Sequence, residues 1–253
     1  MIRRHRHLSP ALLALAMGLA LAIFPMTGVR AAEPVQEDFH YHWELRNLLG
    51  TIAGLFFPNH GQGELTFKTS PGGHLTSELL ITSSASAEGE FWRYGAEIDA
   101  EHLQPIRAWS SYKWRGKTNS KNEPVEQQGV MDIVSAIYSL RRDPPDRRRQ
   151  LQIWSDGHVY PVVVLPLGAE RREVGGKPVD THHFSIRGVE APNGRTWKGK
   201  LDLWLAGDAA ATPVVIQISR SLADVRLELD APPKTAAERA EPGRGAVSGP
   251  GHP

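Results

Sequence analysis

Cysteine is absent from all 253 residues. The chain therefore has no disulfide framework, no thiolate metal site and no lipid-bearing cysteine behind a leader. The Gly-x-Ser-x-Gly elbow, the Walker loop and the Gly-x-Gly-x-x-Gly fingerprint are missing as well. A serine without a base beside it is no nucleophile, so neither hydrolase nor nucleotide chemistry is announced by a motif. A large excess of either charge is also lacking. Lys and Arg total 29 against 28 Asp and Glu, and four of the basic residues but none of the acidic ones lie in the first 31 positions. The remainder, 25 basic against 28 acidic residues, carries no basic excess, which removes the electrostatic support for a nucleic-acid partner.

One hydrophobic run stands out, and it is short. Arg3, Arg4 and Arg6 precede an uncharged apolar stretch from Ala11 to Phe24, and Val29-Arg30-Ala31 supplies small residues before a cleavage point. This is the pattern of a signal peptide over residues 1–31, since a membrane-spanning helix needs roughly 20 apolar residues. The expectation is a periplasmic or secreted protein with no transmembrane segment in the mature chain. At the other end, residues 232–253 are rich in Pro, Gly, Ala and charge with almost no large apolar side chain, so disorder is expected there. The domain between, residues 35–231, is long enough to hold itself together by its core alone.

Within that domain, short strands dominate. Phe39, Tyr41, Trp43 and Leu45 alternate with His40, His42, Glu44 and Arg46, which gives one apolar and one wet face. Strand patterns recur at Glu64 to Thr69, Leu75 to Ser83, Glu90 to Asp99 and Ile106 to Trp114. Asn47 to Phe57 is apolar but interrupted by Gly50 and Gly54, and Gly116 to Gln128 reads as a polar connection. Ser155-Asp156-Gly157 joins Leu151 to Trp154 with His158 to Leu165 as a tight hairpin. Pro192-Asn193-Gly194 joins Thr181 to Gly188 with Thr196 to Leu205, and Val214 to Ser219 and Val225 to Leu229 close the series. Gln128 to Arg142 is the one amphipathic helix: Val130, Ile133, Val134, Ile137 and Leu140 form a stripe, Asp132 suits a cap, and Pro144-Pro145 stops it. The fold class expected is mainly β, a single antiparallel curved sheet or half-barrel of about ten strands, with the central helix packed on the concave face.

Candidate sites follow from this architecture. A curved sheet too wide for its own side chains can hold an apolar or lipid-like ligand. The candidate contacts are Trp43, Trp92 and Trp204 from strands and Ile137 and Arg141 from the helix, although tryptophans also suit ordinary sheet core. Arg141 falls in the apolar stripe, so its guanidinium must snorkel at the helix end, pair with a carboxylate, or meet an anionic head group. His40 and His42 share a strand face and could share a zinc, but His182-His183 point to opposite faces and no third ligand is specified. No catalytic residue, metal ligand or cofactor is therefore assigned, and a metal-dependent hydrolase is the weakest reading.

Asp132-x-x-Ser135-x-x-Tyr138-x-x-Arg141, followed by Leu203-Trp204-Leu205-Ala206 and Thr212-Pro213-Val214, resembles the motifs of a bacterial envelope family known as domain of unknown function 3108. The resemblance spans most of residues 37 to 230. It implies an exported β-rich domain and no reaction. Two functions stand against each other: a non-enzymatic carrier for an apolar ligand, and an assembly factor that meets an envelope protein partner through the tail and the Arg147-Arg148-Arg149 loop.

Overall fold

The computed structural model describes residues 35–46, 59–70, 72–84, 89–99, 101–114, 116–191, 194–220 and 223–232. The leader, the run Asn47 to Phe57, the Pro192-Asn193 turn and the tail from 233 onward lie outside the described residues. The first strands are β1 (Gln36–Arg46), β2 (His60–Thr69), β3 (Leu75–Ser83), β4 (Phe91–Asp99), β5 (Gln104–Trp114), β6 (Lys117–Pro124) and β7 (Val130–Met131). The helix α1 (Ile133–Arg142) follows. After it come β8 (Arg149–Ser155), β9 (His158–Val174), β10 (Lys177–Gly188), β11 (Lys200–Ala206), β12 (Pro213–Arg220) and β13 (Ala223–Leu229).

All thirteen strands belong to one open sheet, ordered β6-β5-β4-β3-β2-β1-β13-β12-β11-β10-β9-β8-β7. Each strand pairs antiparallel with its neighbour in the chain, and the pairing of β1 with β13 joins the two halves. The exception is β7, which runs parallel to β8. The two edges, β6 and β7, are consecutive in the chain, and the sheet curls until they approach. Gln104 of β5 donates to the carbonyls of Gln127 and Val130 and accepts from Gly129 N–H, and the Ser110 hydroxyl reaches Asp156 in the β8–β9 turn at 3.0 Å. The curl brings β3 and β4 to one side of α1 and β7 and β8 to another.

The count of about ten strands was low because β7 lies within the run expected to be helical and β6 is wet on both faces. β6 is Lys-Thr-Asn-Ser-Lys-Asn-Glu-Pro, exposed at all but one position, so it has no alternation to read and passes for a polar connection. The far half of β9 and the near half of β10 are likewise mostly exposed. They are joined at Gly175-Gly176, both with positive φ (55° and 74°), the backbone a two-residue hairpin turn requires.

The helix also differs from the expectation. It begins at Ile133, not Gln128, because Asp132 is its extended N-cap: the Asp132 carboxylate accepts from Val134 and Ser135 N–H, and Ser135 Oγ accepts from Asp132 N–H, each at 2.9 Å. Val130 is buried, but in β7. Nor is the buried surface a stripe. Every residue from Ile133 to Leu140 is buried, since the curled sheet closes around the helix. Ala136, Ser135 and Ser139 are the small side chains on its remaining faces, and they fit where Leu or Ile would not.

Candidate ligand site

Directly paired residues of neighbouring strands share a face, so the register traces what the concave surface carries. One rung runs Tyr41, Gly63, Ile81, Trp92, Tyr112 through β1 to β5. Tyr41 and Ile81 belong to the same core cluster as Ile137, which identifies this as the face that meets the helix. Trp43 and Trp114 stand two residues further along β1 and β5 on the same face. The Trp43 and Trp92 rings meet edge to face at 6.5 Å and 89°, and Trp92 meets Trp114 at 5.1 Å. Trp43 is seated by glycine: its indole N–H donates to the Thr82 carbonyl at 2.7 Å, and a Cβ on Gly61 would stand 2.5 Å from that nitrogen.

This set changes in exposure along its length. Trp43 is buried, Trp92 and Trp114 are half-buried, and Tyr112 is 39% exposed. Leu45, Val225 and Ile218, linked through β1, β13 and β12, lie half-buried on the same face. This end of the concave face thus presents aromatic and aliphatic surface that water still reaches.

The other end is filled. Tyr138 packs on Phe67 at 4.9 Å and Ile137 is fully buried. Arg141, whose side chain is 5% exposed, holds Glu37 with two hydrogen bonds of 2.8 and 2.9 Å and donates to the Ala210 and Ala211 carbonyls. Its guanidinium lies 5.1 Å from the centres of both the Phe39 and Phe67 rings. Of the three fates open to Arg141, pairing with a carboxylate is the one adopted. It ties the helix terminus to β1 and to the β11–β12 turn. Beside it, Tyr41 donates to the Pro213 carbonyl at 2.7 Å, and burial pushes its phenol well above the usual range, against the lowering effect of Arg141.

Trp204 lies elsewhere. Its neighbours in β11, Leu203 and Leu205, turn to the core while Trp204 turns to the convex face. There His183 stacks on it at 4.0 Å and 16°, and Arg172 and Arg226 lie 4.7 and 5.3 Å from its ring. Its indole N–H donates to Glu170. His183 sits 3.6 Å from Glu170 and 3.5 Å from Asp202, which Lys200 contacts at 2.5 Å. Burial holds the His183 imidazole below its ordinary value, against the opposing pull of Asp202 and Glu170. Burial would raise Glu170, but hydrogen bonds from Trp204 and Arg172 leave it lowered.

The histidines are scattered. His42 pairs with Asp230 at 2.9 Å, while His40, Glu64 and Asp230 border a shallow convex-face depression of about 420 Å³. Among the described residues no three His, Asp or Glu side chains gather as a metal would need. Of the five named candidates, the structure brings Trp43 and Trp92 together, places Ile137 and Arg141 at the filled end, and separates Trp204 from all four. Trp114, Tyr112 and Glu37 went unnamed because only the sheet register or a 104-residue separation reveals them.

The motif residues now have positions: a capping box, the Tyr138–Phe67 contact, the Arg141 clamp, the convex tryptophan, and a proline carbonyl that receives Tyr41. Together they define a mainly β protein built on one curled sheet with an enclosed helix. Residues 51–230 match the family described as "Protein of unknown function (DUF3108)", and the chain belongs to that family. A β-barrel-like protein of domain of unknown function DUF1849 from Brucella abortus aligns with 10% identity and a TM-score of 0.48, over 77% of this chain and 95% of that one. No curated protein matches. Among the described residues no helix is long and apolar enough to cross a membrane.

Proposed function

We propose that this is an exported, non-enzymatic envelope protein, periplasmic or secreted, that shelters an apolar or lipid-like ligand at the aromatic end of its concave face. The observation that carries the reading is the Trp43, Trp92, Trp114 and Tyr112 set, drawn from three strands onto one face and left partly open to water. Large apolar surface that stays accessible beside a packed core is the ordinary signature of a binding site. Aromatic side chains supply much contact area for few rotatable bonds. The leader-like N-terminus supports export. The test is organic extraction of protein purified from its native envelope, followed by mass spectrometry, with tryptophan fluorescence during lipid titration. An empty extract together with an unchanged spectrum refutes the proposal.

The assembly-factor reading keeps one observation of its own. Arg147 and Arg148 stand exposed in the connection after the helix, whereas Arg149 is held by Asp143 at 2.8 Å. Replacing Arg147 and Arg148 by Ser should abolish capture of an envelope partner on this reading, and unchanged capture removes its basis.

A further inference from the structure

The concave register does not stop at the aromatic residues. It continues onto the edge strand β6, where Lys117 pairs with Trp114, Asn119 with Tyr112 and Lys121 with Ser110. Directly paired residues share a face, so two ammonium groups and an amide border the half-open aromatic surface along the sheet edge. All three side chains are exposed. Lys121 has only a loose pairing, 3.9 Å from Glu123, the kind of surface contact that contributes little. Glu90, the carboxylate at the start of β4, is buried and already engaged within the protein. The site therefore has an apolar floor and a charged lip, where Lys117 and Lys121 stand with Glu123 on the same strand face and Asp156 lies beyond Ser110.

We infer that the ligand is a single-chain amphiphile with an acidic head group, its chain against Trp92 and Trp114 and its head held by Lys117 and Lys121. This rests on the ligand reading above and specifies it. The chemistry is that of a fatty acid or similar anionic amphiphile. The chain leaves water against the indoles, while the head group stays at the rim, where lysines reach it without being desolvated themselves. A wet edge strand also lets the head group remain half-hydrated. Lysine on an edge strand has a second use, to discourage pairing with another sheet, and binding measurements separate the two roles.

The experiment titrates the exported protein with sodium oleate and with oleyl alcohol at low salt, reading tryptophan fluorescence. The two probes share a chain and differ in head-group charge. Oleate should bind about five- to ten-fold more tightly, the size of effect two partly exposed ion pairs supply. In K117E/K121E that preference should fall to one or below with oleyl alcohol affinity unchanged, and it should persist in K68E/K177E, which carries the same charge change away from this face. Melting curves establish that each variant folds. Equal binding of the two probes by the parent, or a preference that survives K117E/K121E, overturns the acidic-head inference while the apolar-ligand reading stands. Binding of neither probe refutes both.

Discussion

The concave face has two ends made from the same strands, and they are used differently. At one, α1, Phe67, Tyr138 and the Arg141–Glu37 clamp fill the space, and the largest side chains reach zero or near-zero exposure. At the other, the same face carries side chains of equal size that stay half-exposed, with no helix over them among the described residues. Strand chemistry cannot explain the difference, because Phe67 and Trp92 are both strand aromatics. What differs is the partner. Among the described residues, curling brings α1 to one end, so the same kind of residue becomes core there and accessible surface at the other. Apolar surface is a core only when something covers it.

The sharpest way to break this comparison is to disturb the filled end. Ile137→Asp should cost about 4 kcal/mol or more, because a carboxylate would be buried where Arg141 is already committed to Glu37. Ile137→Ala should cost about 2–5 kcal/mol through lost burial and an unfilled cavity. Urea unfolding of the purified variants measures both, and an Ile137→Ala midpoint equal to the parent's would remove the helix from the core. Arg141→Met should cost about 1–3 kcal/mol, less than a fully buried pair because Glu37 keeps 35% of its side chain in water. Combining it with Glu37→Gln should cost less than the two single effects added, since both remove one interaction.

At the open end the expectation reverses. Trp92→Ala should cost only about 1–2 kcal/mol, as a half-buried ring has less burial to lose than a core aromatic. It should nevertheless abolish the fluorescence response to lipid. A large loss of stability with unchanged binding would mean that this end is core like the other.

The smallest effect concerns the convex face. The folded protein holds His183 below its ordinary value of 6.5, so just below that value the unfolded chain binds a proton the folded one does not. Stability is therefore full above pH 6.5 and declines as pH falls towards the folded pKa. Asp132 has its carboxyl raised by burial and acts with the opposite sign above 3.8, so the useful comparison is parent against His183→Gln. The parent's melting temperature should fall between about pH 7 and pH 5, and more steeply than the variant's. Parallel curves would show that the Trp204 stack does not depend on the neutral imidazole.

Particular residues show how far sequence could go. β1 was legible because each of its faces meets a different medium, so Phe39 to Leu45 alternate. β6 was not, because both of its faces are wet. The helix was legible in kind but not in start, although Asp132 already suited a cap; the reciprocal bond from Ser135 appears only in the structure. Arg141 was recognisable as an anomaly in an apolar segment, but its answer, Glu37, lies 104 residues away. Trp43 and Trp92 were candidates on composition alone. That they touch, and that Trp114 and Tyr112 join them, depends on the registers of β1 through β5.

The sequence by itself determined the short-range features of this protein. These are the strands with unlike faces, the helix cap, the turn at Asp156-Gly157, and the absence of any cysteine or catalytic motif. Each is set by backbone sterics and hydrogen bonds between residues close in the chain. Only the tertiary structure decided which aromatic residues are core and which remain open, and on which face Trp204 lies. It also decided where the Arg141 charge goes. Those outcomes depend on how far the sheet curls and on what it closes around. That is a property of contacts among residues far apart in the chain, and no local pattern encodes it.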